Sequence, residues 1–214
     1  MDGTVLSLFA ASFVTFFVLI DAPGVATIFA SLTAKGSAAY RRRMAVRATF
    51  VASLIIFAFA FGGAWLLGAM HISIDAFRAA GGVLLFLIAL DMVFEKRTER
   101  RENRAEEVLA EEETTEDDIS VFPIGIPMIA GPGTIATAML YMSNSSSLLE
   151  RGVVLGALAA NLVLCLIIFL AAGPFVRLLG DSVVAALTRI LGVILAALSV
   201  QLLIDGIKGA FGLS

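Results

Sequence analysis

The sequence predicts an all-α membrane protein: six transmembrane spans forming two inverted three-helix repeats, with broken helices in spans 1 and 4. Three observations lead there. Hydrophobic residues make up 59% of the 214 residues, and the mean hydropathy is +0.97. Charged residues are 15%, against about a quarter in soluble domains. Those charges are also clustered, with eleven of the 18 acids falling between Glu95 and Asp118. Outside that stretch the chain is a series of long uncharged runs with short polar punctuation.

A hydrocarbon core of about 30 Å needs roughly 20 apolar residues of helix. Runs at about 4–33, 47–69, 77–94, 120–143, 152–172 and 185–206 meet that requirement. The first is too long for one straight helix and contains Asp21-Ala22-Pro23-Gly24. The fourth contains Ala130-Gly131-Pro132-Gly133 near its middle. Proline removes a backbone donor and clashes with the preceding turn, and glycine relaxes the backbone there. Both spans are therefore expected to break. A break at membrane depth is tolerated only where it faces protein or a wet cavity. Whether the first is a bent span or a re-entrant hairpin is open at this level.

Basic residues set the orientation. With the N-terminus outside, Lys35, Arg41, Arg42, Arg43, Arg47, Lys96, Arg97, Arg100, Arg101, Arg104, Arg177 and Arg189 fall inside. Only Arg78, Arg151 and Lys208 fall outside. Both termini are thus predicted outside and the 96–118 linker cytoplasmic. That linker is too poor in large apolar residues to offset its ordering entropy and is expected to be disordered or a fraying helix. The first run follows Asp2 without a basic region and is expected to stay in the mature protein.

The chain repeats itself at an offset of about 110 residues. Ala22-Pro23-Gly24-Val25-Ala26-Thr27 answers Gly131-Pro132-Gly133-Thr134-Ile135-Ala136. Gly62-Gly63 falls opposite Gly173-Pro174, and Arg78 through Gly82-Val83-Leu84 answers Arg189 through Gly192-Val193-Ile194. The organisation is then a first repeat over 1–95, the linker over 96–118 and a second repeat over 119–214. Three spans per half force the second copy to enter the membrane from the opposite side. Secondary transporters use this plan and bind substrate near the midplane, between broken helices.

Asp21 is the acid that cannot easily reach an interface, and such residues usually face a partner, a cavity or an ion path. It reads as the coupling site for a proton, with sodium the other candidate. It also stands where an acid caps a half-helix beginning at Pro23. Half-helix N-termini at Gly24 and Gly133 would aim free N–H groups at an anionic group such as a carboxylate. Thr27 and Thr134 could add hydroxyl contacts, or bond back to a preceding carbonyl. The substrate-binding set is thus Asp21, Pro23, Gly24, Thr27, Gly131, Pro132, Gly133 and Thr134. Asn161 and Gln201 could line the same cavity or bond helix to helix; Gln201 matches Asp91 in the other half. Arg78 and Arg189 read as snorkelling to the two interfaces.

Other classes find no support. Cys165 and His71 are the single cysteine and histidine, too few for a disulfide or a zinc site, and Cys165 reads as a small buried hydrophobe. No cofactor motif and no catalytic constellation appears, so an enzyme is not expected. The net charge of −3 reflects the acids of the linker and points to no nucleic-acid partner. The expected partners are a small-molecule substrate, membrane lipid and a coupling ion.

Two segments carry a family resemblance: Phe122-Pro123-Ile124-Gly125-Ile126-Pro127-Met128-Ile129-Ala130-Gly131-Pro132-Gly133-Thr134-Ile135 and Ile72-Ser73-Ile74-Asp75-Ala76-Phe77-Arg78-Ala79-Ala80-Gly81-Gly82. Through them, and over nearly its whole length, the chain resembles the MarC family of bacterial membrane proteins. That family usually has Asn-Pro or Asp-Pro at the first break, whereas here Ala22 intervenes between Asp21 and Pro23. The resemblance implies a six-span protein of the bacterial inner membrane, related to the amino-acid exporters of the lysine-exporter superfamily. Some members are described as proton-coupled transporters of glycine and alanine. The expected function is accordingly transport of small neutral amino acids. Its alternatives are export of another small solute or drug and a non-transporting scaffold acting through the acidic linker.

Overall fold

The computed structural model describes residues 2–94, 100, 103 and 118–213. The greater part of the predicted linker, and the expectation that it is disordered, lie outside the described residues. Five helical stretches are long and apolar enough to cross a membrane, and a bent pair makes a sixth. The first combines α1 (Asp2–Ile20) and α2 (Ala22–Leu32). Hydrogen bonds run on across the join, from the N–H of Asp21 to Phe17 O (3.0 Å) and from that of Val25 to Asp21 O (2.9 Å). The pair therefore forms one span, Val5–Leu32, with a local fault at Asp21.

The second span, α3 (Ala38–Ala69), starts nine positions before the apolar run at 47. Ser37 caps it, its hydroxyl accepting from the Tyr40 N–H at 3.1 Å. Tyr40, Met44 and Ala45 are buried, so tertiary packing holds the first turns in spite of three successive arginines. At 1.5 Å per residue its 32 residues reach about 48 Å, well past the hydrocarbon core. The third span is α4 (Ile74–Val93), capped by Ser73.

The fourth span departs most from a regular helix. α5 (Ser120–Ile129) has i→i−5 bonds, from the N–H of Ile124 to Ile119 O (3.4 Å) and from that of Ala130 to Gly125 O (2.9 Å). Pro123 and Pro127, both preceded by cis peptides, recur at a four-residue interval. The residues ahead of them are extended, Phe122 at φ −127° and Ile126 at φ −129°, as a residue before proline prefers. α6 (Pro132–Asn144) follows after a 55° bend. The irregularity thus begins ten residues before the Gly131-Pro132 break at which the sequence predicts it.

α7 (Leu148–Leu170) is the fifth span, capped by Ser147 as Ser37 caps α3. A short helix, α8 (Ala172–Leu179), lies between the fifth and sixth of the predicted spans. α9 (Asp181–Phe211) is the sixth span.

Numbered one to six, the first span packs mainly on the fifth, the second on the fourth and the third on the sixth. Exchanging the two halves leaves that pairing unchanged. The third and sixth spans show the same relation residue by residue. A Cβ at Gly82 would stand 2.7 Å from Ser199 O and Leu203 N; one at Gly192 would stand 3.1 Å from Ala89 O and from Val93 Cγ2. These positions match at an offset of 110 (192 with 82, 199 with 89, 203 with 93).

The main core gathers Phe16, Ile20, Ala22 and Val25 of the first span with Ile124, Ile129 and Ala130 of the fourth, and with residues of α3 and α7. A smaller core joins Val18 and Leu19 to Leu85, Ala89 and Met92 of α4 and Leu195 of α9. Large apolar side chains also cover the outside: Phe50, Leu54, Phe61 and Trp65 on α3, Ile190 and Val193 on α9. Water does not tolerate so extensive an apolar exterior, whereas lipid does.

Candidate functional site: a cavity at the second helix break

The second break lines a cavity of about 240 Å³, bounded by Gly131, Pro132, Gly133 and Thr134 with Pro127 and Met128 before them. Leu19 of the first span and Ile88 and Asp91 of α4 form the other side, and Arg100 enters from the linker. α6 begins here with Pro132 in its first turn, so the first free donors at its N-terminus are the N–H groups of Gly133 and Thr134. Thr134 is 2% exposed and lines the cavity. Gly133 is where a side chain would close the space: a Cβ would stand 2.8 Å from Ile88 Cδ1.

Charge faces this N-terminus from across the cavity. Asp91, one turn from the end of α4, accepts a hydrogen bond from Nη1 of Arg100 on its Oδ2 at 2.5 Å. One end of the cavity therefore offers hydrogen-bond donors with a helix dipole behind them. The other offers a carboxylate already engaged with a cation. Sequence reasoning passed over Asp91 because it lies close to an interface. Its match with Gln201 was the signal available.

The first-break residues do not line this cavity. Asp21 is 1% exposed and left-handed (φ 51°, ψ 51°), an uncommon state for a residue other than glycine. It occupies the N-cap position of α2, yet its side chain makes no capping hydrogen bond. Its Oδ1 instead accepts from the Thr188 hydroxyl of α9 at 3.4 Å, and its Oδ2 lies over Gly24. Pro23 is buried, and Thr27 bonds back to Gly24 O at 2.8 Å. The two breaks meet through the main core, with Ile20 and Ala22 beside one and Ile129 and Ala130 beside the other.

Asn161 and Gln201 also lie outside the cavity. Asn161 is buried and donates from Nδ2 to Phe13 O and Ala157 O, both at 3.0 Å, tying α7 to α1. Gln201 is exposed and donates to Asp205 on its own helix at 2.8 Å. Arg78 does not simply snorkel: it pairs with Asp75 and donates to Asn144, the last residue of α6. Cys165 is fully buried, as expected for a small hydrophobe.

The entry to α5 is pinned electrostatically. Asp118 accepts from the Ser120 N–H at 3.1 Å and from its hydroxyl, and pairs with Arg47 of α3. Partial burial acts to raise the Asp118 carboxyl. The Ser120 hydrogen bonds and the charges of Arg47 and Arg43 together outweigh it and hold the carboxyl below the ordinary range.

Comparison with known proteins places the chain. The model of the MarC family integral membrane proteins matches residues 6–211. A UPF0056 membrane protein of Archaeoglobus fulgidus is 35% identical, over 94% of this chain and 93% of its own length. The UPF0056 membrane protein YhcE of Escherichia coli is 32% identical, over 93% of this chain and 91% of its own. No solved structure matches. A match over nearly the whole length, joined to a multi-pass helical fold with its break at the Gly131-Pro132 motif, makes this chain a member of the MarC family of integral membrane proteins.

Proposed function

We propose that the chain is a secondary transporter of small neutral amino acids of the glycine and alanine class, coupled to protons and working by alternating access between two inverted halves. The second-break cavity carries this reading. A zwitterion needs an anion site and a cation site within a few ångströms, and the cavity has the α6 N-terminus with Thr134 on one side and Asp91 on the other. The substrate carboxylate takes the N–H groups of Gly133 and Thr134. Its ammonium takes Asp91, displacing Arg100. At about 240 Å³ the space lies below the usual range for drug-sized ligands, which favours a compact solute. Asp21, buried at the other break, carries the coupling proton. The half-exchange symmetry of the span pairing and the reciprocal glycine contacts favour two equivalent halves, in keeping with repeat-built transporters. The membrane is the cytoplasmic one, with the linker inside.

The test is uptake of labelled alanine and glycine into proteoliposomes under an imposed pH gradient. Wild type should accumulate both. Asp91→Asn should weaken substrate binding, and Asp21→Asn should abolish gradient-driven accumulation while leaving exchange at equal pH. Failure of wild-type protein to move any amino acid under any gradient overturns the proposal.

A further inference from the structure

A second cavity, of about 410 Å³, lies on the linker side among α2, α3, α7 and α8. One wall is apolar, formed by the exposed Leu170 and Pro174 together with Phe29 of α2 and Phe169 of α7, which are themselves buried and stacked on each other at 4.8 Å and 5°. The mouth is cationic, formed by Arg41 and Arg42 in the first turns of α3. Both arginines are exposed, and among the described residues neither guanidinium has an ion pair or hydrogen bond. Among the described residues no acid lines the cavity, and the Thr33 hydroxyl there is already bonded to Phe29 O at 2.7 Å. Recognition of a polar ligand therefore falls to the arginines. From Arg42 the basic surface continues along α3 as Arg43 and Arg47, interleaved with the exposed side chains of Val46 (47%) and Phe50 (66%).

We propose that this cavity is a binding site for an anionic phospholipid. A cationic rim beside an exposed apolar wall, at the end of helices that cross a bilayer, suits a phosphate group carried on an apolar chain. A soluble anion would use the arginines and leave the exposed Leu170 and Pro174 idle, and an acidic peptide segment would do the same. The location also fits, because the excess of basic residues on this side assigns it to the cytoplasmic leaflet, where anionic lipids are recognised by such clusters. The inference is independent of what the protein transports.

The experiment is native mass spectrometry of the full chain in neutral detergent, titrated with phosphatidylglycerol, phosphatidylcholine and, separately, inorganic phosphate. Phosphatidylglycerol should bind in clear preference to phosphatidylcholine. Replacing both arginines (Arg41→Ala with Arg42→Ala) should lower its affinity about 25-fold, roughly fivefold for each arginine. The paired lysine substitutions should keep most of it, and Arg151→Ala, at the opposite membrane face, should change nothing. Equal binding of the two lipids, or a preference that survives the alanine pair, overturns the proposal. Competition by inorganic phosphate as effective as that by phosphatidylglycerol also overturns it, since the site would then hold free anions.

Discussion

A Cβ added to Gly82 would stand 2.7 Å from the carbonyl oxygen of Ser199, so α4 and α9 meet here backbone to backbone. Gly192 repeats the contact from the other helix, against Ala89 and Met92. Where lipid surrounds a protein, close approach through small residues is a main source of helix association. Alanine at either position must separate the helices, because the obstructing atoms include backbone. Each substitution is predicted to cost about 1–3 kcal/mol. Gly62→Ala and Gly68→Ala, where nothing lies within 4 Å, should be neutral or slightly stabilising. Thermal or detergent unfolding of the four variants checks the contrast.

Gly24 is predicted to govern Asp21 without being charged itself. A Cβ there would stand 2.5 Å from Asp21 Oδ2, so Gly24→Ala must turn the carboxylate away from its present place. Under the transport proposal, Gly24→Ala should resemble Asp21→Asn, folding normally but losing pH-driven accumulation. Wild-type accumulation in Gly24→Ala would show that the carboxylate's position is immaterial.

Thr134 brings a hydroxyl to the lining of the cavity. Thr134→Val keeps the shape and removes that group, and one hydrogen bond is worth roughly threefold to tenfold in affinity. The half-saturating concentration of alanine should rise by that factor with little change in maximal rate, and Thr134→Ser should restore it. An unaltered concentration dependence in Thr134→Val would place the substrate elsewhere.

Asp118 should make stability pH-dependent at the entry to α5. Its carboxyl is held below the ordinary range in the fold, so it binds a proton less readily there than in the unfolded chain. The stabilisation is therefore complete about a unit above the ordinary carboxylate value and is lost as pH falls through the depressed value of the folded state. Because the Arg47 pair is substantially exposed, the effect should be about 1 kcal/mol or less. Asp118→Asn should unfold earlier than wild type at pH 7, and the difference should vanish in acid once the Asp118 carboxyl is protonated in the fold.

Much of the architecture was legible in hydropathy because a bilayer allows few solutions. Each span must satisfy its own backbone, so an apolar run of sufficient length becomes a helix. The faults at Asp21 and Gly131 were legible for the same reason, since proline and glycine interrupt that self-sufficiency. What escaped had its cause in neighbours. The first turns of α3 hold because Tyr40, Met44 and Ala45 are buried by other elements, and α8 is too short to be marked as a span by its own hydropathy. The irregular α5 followed from Pro123 and Pro127, whose four-residue interval was visible but yields a conformation only when both prolines are placed.

The sequence by itself determined that this is a membrane protein of helical spans and where two of those spans break. Tertiary structure decided which of the marked residues share a space. It put Thr134 opposite Asp91 in one cavity, turned Asp21 toward Thr188 in the core, and left Gln201 on the exterior beside Asp205. The physical reason is that hydropathy and helix breaking act within one segment, whereas a site is a meeting of several. Whether a carboxylate faces a helix N-terminus or a neighbouring hydroxyl depends on rotations and crossings set by packing between helices far apart in the chain.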